Sequence, residues 1–144
     1  GKSLPKDQDP EQGLSEQGIL DVERIANTAK SYKICVSNIK HSGKKRAKQT
    51  AEIFAKALNP KNGVQEMKGL SPLDDVAEII GKINIEDNIM LVGHLPFMER
   101  LVSYLITGDS DKTVFKFQNG GIVCLDQDED SWFIKWSLTP NIYS

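Results

Sequence analysis

The amino-acid sequence predicts an α/β fold: a three-layer α/β/α sandwich with a mostly parallel sheet and antiparallel strands near the C-terminus. Three observations carry that prediction. Ile89-Met90-Leu91-Val92 is an apolar run suited to a strand buried on both faces, and it passes through Gly93 into a helical pattern. Before it, helix-period and strand-like segments alternate, as they do where crossover helices link parallel strands. After it, two strand-like runs flank the acidic turn Gln127-Asp128-Glu129-Asp130-Ser131, which reads as a hairpin.

The bulk composition limits the possibilities. A chain of 144 residues is one domain large enough for a hydrophobic core, and 39% apolar with 26% charged residues is ordinary for a globular protein. Lys and Arg number 18 against 20 Asp and Glu, so no global field argues for nucleic acid or a membrane surface. No apolar run approaches the length of a membrane span, and nothing near Gly1 reads as a signal peptide. Cys35 and Cys124 each sit in an apolar run, which predicts reduced core thiols rather than a disulfide or a metal pair. A cytoplasmic setting fits that reading.

In chain order, residues 1–10 are polar and broken by Pro5 and Pro10, so they form loop. The same prolines argue against reading Gly1-Lys2-Ser3 as the end of a P-loop, which must run straight into a helix. Ser15 caps a helix carrying Ile19, Val22, Ile25, Ala26 and Ala29 along one side. Residues 32–36 read as a strand and 37–43 as a loop. A second helix then carries Ala47, Ala51, Phe54, Ala55 and Leu58 and stops at Asn59-Pro60. Residues 64–68 suggest a brief strand. Ser71-Pro72-Leu73-Asp74 reads as a helix start, with Ser71 as cap and Val76, Ile79, Ile80 and Ile83 as the buried face. Pro96 suits the first turn of the helix after Ile89–Val92, whose apolar face is Phe97, Leu101, Val102, Leu105 and Ile106, and Gly108 ends it. Residues 113–117, 121–126 and 132–138 complete the strands.

Two stretches carry candidate chemistry. His94 falls at the carboxyl end of a central strand, the edge of an open α/β sheet where ligands bind; the plainer alternative is a histidine packed in a turn. His41-Ser42-Gly43-Lys44-Lys45-Arg46-Ala47-Lys48 leads from the preceding strand into a helix and should open on the same edge. Free N–H groups at a helix N-terminus with an arginine in the first turn make a site for an anion. The lysines around it read as a solvated face. Arg46 stands apart, because its planar fork of donors matches a phosphoryl group.

These stretches resemble a known family. His-Ser-Gly-Lys-Lys-Arg-Ala-Lys-Gln-Thr-Ala-Glu (41–52) and Val-Gly-His-Leu-Pro (92–96) are similar to the small phosphohistidine phosphatase (SixA-type) branch of the histidine phosphatase superfamily. Leu14-Ser15-Glu16-Gln17-Gly18 and Gly69-Leu70-Ser71-Pro72 match further pieces of its pattern, so the resemblance runs the length of the chain. It implies that Arg46 is the second phosphate-binding arginine and His94 the second active-site histidine. The family's nucleophile is the histidine of an Arg-His-Gly motif ending the first strand. Gly1-Lys2-Ser3 reads as the tail of Arg-His-Gly-Lys-Ser, which makes Gly1 a phosphate-binding position. The Arg-His pair and its strand are then expected before residue 1, or are lost. His41 does not match the nucleophile position.

The implied reaction is attack of a neutral imidazole on phosphorus, giving a phosphohistidine intermediate that water cleaves. Such transfer depends mostly on positioning and on holding charge on the phosphoryl oxygens. No metal or cofactor is implied. Neither Asp74 nor Asp75 is assigned as an acid, and an imidazole leaving group needs one less than an alkoxide does. The expected substrate is a phosphorylated protein bearing phosphohistidine. Small phosphate esters, or a binding module without turnover, are the alternatives.

Overall fold

The computed structural model describes residues 13–83, 88–118 and 120–140. The first helix, α1 (Glu16–Ser31), begins as the sequence predicts, with Ser15 accepting a hydrogen bond from the Gly18 N–H. Its Val22, Ile25, Ala26 and Ala29 are buried. Helix α2 (Lys45–Leu58) lays Ala47, Ala51 and Phe54 against them. Alanine at these positions lets the two helices approach closely, and Phe54 fills the space that remains. Burying such a phenyl ring contributes about 1.5–3 kcal/mol.

Between these helices the prediction of a strand over 32–36 fails. The chain there closes the end of α1, with Ile34 N–H bonded to the Ala29 carbonyl and Lys33 in the left-handed region at φ 59°. Tyr32 and Cys35 are exposed, so Cys35 is not a core thiol. The strand is β1 (Asn38–His41), where Ile39 is the only apolar residue and is completely buried. An apolar run had suggested strand pairing, but Val36 serves instead to pack under the helices. Cys124 is half-buried in a later strand, and both thiols are free.

β1 is central to a parallel sheet of order β2-β1-β3, where β2 is Val64–Glu66 and β3 is Ile89–Val92. The register pairs Ile39 with Val64 and Met90, and His41 with Glu66 and Val92. Two helical layers cover the sheet. Met90 and Val92 face the core of α1 and α2, whereas Leu91 faces α3 (Val76–Ile80) and α4 (Phe97–Thr107). On this second side Leu70, Val76, Ile79, Phe97 and Leu101 form the core. β3 itself is half-buried along its length, not sealed on both faces.

Three further expectations are corrected. Ser71-Pro72-Leu73-Asp74 is a turn, closed by the Asp74 N–H to the Ser71 carbonyl; α3 starts later, capped by Asp75 onto the Ala77 N–H. Residues 113–117 are not a strand. Phe117 N–H is held by the Glu99 carboxylate, and the Phe115 and Phe117 rings meet edge to face at 5.2 Å. The last strands, β4 (Ile122–Asp128) and β5 (Ser131–Leu138), do form an antiparallel hairpin, but as a separate two-stranded sheet. Ile122 and Leu138 pack against the first core, and Arg24 of α1 donates to the Pro140 carbonyl, so the hairpin is tied to that side. The three layers and the parallel-then-antiparallel order stand as predicted. Gly1 lies outside the described residues.

Candidate active site

β1 and β3 run parallel with His41 and Val92 paired, so their carboxyl ends leave the sheet side by side. One residue beyond β1 stands Ser42, and two beyond β3 stands His94. Their side chains meet, with Ser42 Oγ 2.6 Å from His94 Nε2. The Lys44 N–H also donates to that hydroxyl oxygen at 3.3 Å. Lys44 is the N-cap of α2 and offers no side-chain cap to the first turn.

Charge collects around this pair. Burial pushes the His94 imidazole down to about 4 from an ordinary 6.5, and the Lys44 and Arg46 cations push in the same direction. The ring is therefore neutral at pH 7. Arg46 sits in the first turn of α2 with its Nε withdrawn from solvent. The structure thus brings Arg46 and His94 to one edge of the sheet.

His41 is placed differently. It is only 6% exposed, and its Nδ1 accepts the Gly43 N–H at 3.0 Å. That bond leaves the ring proton on Nε2. Burial lowers its pKa and Lys48 adds to this, while Glu66 and Glu52 oppose it. Gly43 has φ +92°, and a Cβ there would stand 2.5 Å from Glu66 Oε2. His41 thus helps shape the turn that delivers Ser42 and takes no place beside His94.

A cleft of about 370 Å³ opens next to Ser42, with Lys68, Ser71, Asp74, Glu78 and Lys82 in its walls. Asp74 lines it while its Oδ2 accepts the Ser71 N–H, and Asp75 is occupied in capping α3. Gly93 brings the His94 turn against the loop that follows β2: a Cβ on Gly93 would lie 2.8 Å from Met98 Sδ and 3.2 Å from the Leu70 carbonyl oxygen. Among the described residues, no group of three His, Cys, Asp or Glu side chains is placed to hold a metal ion, and no helix is long and apolar enough to cross a membrane.

Solved structures share this arrangement of elements. A protein histidine phosphatase SixA, determined with tungstate, superposes with a TM-score of 0.80 at 24% identity, over 92% of this chain and 87% of that one. The fold is that of SixA. A second SixA structure, from Agrobacterium tumefaciens and described as a candidate phosphohistidine phosphatase, gives a TM-score of 0.76 at 23% identity, over 97% of this chain and 91% of that one. No family model matches the chain, and no curated protein matches it either.

The sequence singled out His94 and Arg46 but not Ser42, which the reading left inside a loop. Had β1 been placed over 38–41, the parallel register would have set Ser42 across from Gly93, next to His94.

Proposed function

We propose that the chain is a phosphohistidine phosphatase that removes phosphate from a phosphorylated protein histidine. The observation that carries this reading is a neutral His94 held beside the cationic first turn of α2, at the carboxyl edge of a SixA-type sheet. Tungstate, present in one of the similar structures, is a tetrahedral oxyanion like phosphate. In this reading Arg46 grips two phosphoryl oxygens through its fork, α2 offers backbone N–H groups, and His94 donates a hydrogen bond to a third oxygen. Together they stabilise the charge that the equatorial oxygens carry during transfer.

The attacking group in this reading is the neutral histidine of an Arg-His-Gly motif, which is absent from these 144 residues. Its nitrogen bonds to phosphorus as the substrate's nitrogen–phosphorus bond breaks, and the departing imidazole takes up a proton. Water then cleaves the enzyme's phosphohistidine to give inorganic phosphate and restores the imidazole. The strand bearing that motif would pair beside β3, which has only β1 as a partner among the described residues. The open, polar-walled cleft beside Ser42 supports a protein side chain as substrate over an enclosed metabolite. Two free cysteines fit a cytoplasmic setting.

Phosphate release from a phosphohistidine-bearing carrier protein, without added metal, tests the reading. With an N-terminal strand ending in Arg-His the protein should turn over, and His94→Ala should slow release by on the order of a hundredfold or more. The 144-residue chain should bind phosphate and release none. Turnover by that chain alone would show that the nucleophile is wrongly named, and equal rates on small phosphate esters would reject the protein substrate.

A further inference from the structure

We infer that Ser42 is a positioning residue that fixes which nitrogen of His94 carries the ring proton, leaving Nδ1–H as the ring's one donor to a bound anion. The inference rests on the phosphatase reading for its anion, though the hydrogen bond itself does not depend on it. Two facts give the bond its direction. Ser42 Oγ and His94 Nε2 are 2.6 Å apart. Bonds donated by N–H to oxygen span roughly 2.7–3.2 Å, and this contact is shorter than that. The short separation favours the serine as donor and Nε2 as acceptor. The Lys44 N–H meanwhile donates into Ser42 Oγ, which occupies one of its two lone pairs while the hydroxyl proton stays available to the ring.

The ring cannot satisfy both neighbours by taking a second proton. Burial and the nearby Lys44 and Arg46 cations hold it neutral, so a proton excluded from Nε2 resides on Nδ1. Nor is the serine free to drift. It follows directly on β1, whose pairing of His41 with Val92 sets its distance from the Gly93–His94 turn. A neutral imidazole with the opposite tautomer would present a lone pair at Nδ1, which repels a phosphoryl oxygen where a donor attracts it. Ser42 thus converts a histidine that could face the anion either way into one that faces it with a proton.

Nitrogen-15 spectra of the histidine-labelled protein test this directly, because the chain has only two histidines. His41, whose Nδ1 accepts the Gly43 N–H, should show the Nε2–H form and serves as an internal record of the fold. His94 should show the Nδ1–H form. Ser42→Ala should shift His94 toward Nε2–H while the His41 signals stay in place, and should weaken binding of inorganic phosphate by about tenfold to a hundredfold. Ser42→Thr, which keeps the hydroxyl, should restore both the tautomer and most of the affinity. A wild-type His94 in the Nε2–H form would overturn the inference. So would a Ser42→Ala protein with unchanged His41 signals that retains both the Nδ1–H form and full phosphate affinity. Wild-type protein with the Nδ1–H form but no phosphate binding would uphold the role of Ser42 and reject the phosphatase reading instead.

Discussion

The turns that follow β1 and β3 start alike and end in different roles. Each leaves the carboxyl end of a parallel strand, contains a glycine and carries a histidine. His41 is still the last paired residue of its strand, so it is buried, and its ring is bound to the backbone of its own turn. His94 stands two residues past the paired end, reaches the edge of the sheet, and meets Ser42, Lys44 and Arg46. Two positions of register separate a histidine that builds the turn from one that can work in it. Burial lowers the pKa of both rings, so a shifted pKa alone does not tell the roles apart. Their charged neighbours do: cations for His94, a mixture of carboxylates and lysine for His41.

The largest expected effect would sharpen this contrast at the anion. Arg46→Ala should cost phosphate binding on the order of 2–5 kcal/mol, measured by calorimetric titration, because a bidentate partner is lost. Unchanged affinity would remove Arg46 from the site. His41→Gln should do the reverse. It should destabilise the protein by about 1–3 kcal/mol in urea denaturation, through the orphaned Gly43 N–H, while leaving phosphate affinity near wild type. A selective loss of phosphate binding with unchanged stability would break the comparison.

pH reads the His94 side of this comparison directly. Between pH 6.5 and 4 the unfolded chain protonates a histidine that the folded protein keeps neutral at His94. The contribution of His94 to stability is therefore fullest above pH 6.5, falls as pH drops toward 4, and levels off below that. After allowance for solvent screening at a partly exposed ring, the expected loss is about 1–2 kcal/mol. His94→Gln should flatten most of the fall in the urea midpoint between pH 7 and pH 4.5; a curve identical to wild type would deny His94 its shift. The smallest effect is at the β1 turn. Gly43→Ala should destabilise by about 1 kcal/mol, since alanine is strained at a positive φ. Adding Glu66→Ala should recover little, because the carboxylate is a flexible chain end that can move aside; full recovery in thermal melts would make the contact, and not the backbone, the cause.

The sequence disclosed the parts whose signals are local. Ser15 as a cap, the apolar stripes of α1, α2 and α4, Ile89–Val92 and the final hairpin all follow from side-chain periodicity and turn chemistry. His94 was legible because a strand, a glycine and a proline surround it. β1 was not, because Asn-Ile-Lys-His contains one apolar residue and owes its strand conformation to pairing on both sides. The more apolar residues just before it attracted the assignment, although they close a helix. That displacement hid Ser42 as well, since its closeness to His94 is a product of register and not of composition. The turn at 71–74 misled for a related reason: Ser71 and Asp74 have the residue types of a helix start but bond to each other.

The missing side chain of Gly93 has a mechanical consequence. A Cβ there would meet the Met98 sulfur and the Leu70 carbonyl oxygen, so the His94 turn packs close to the loop beyond β2. Lys68 and Ser71 stand in the cleft wall on either side of Leu70 in sequence. Any side chain larger than hydrogen at position 93 would have to displace Met98 or the Leu70 main chain, so a glycine sets how near the His94 turn comes to the loop carrying Lys68 and Ser71.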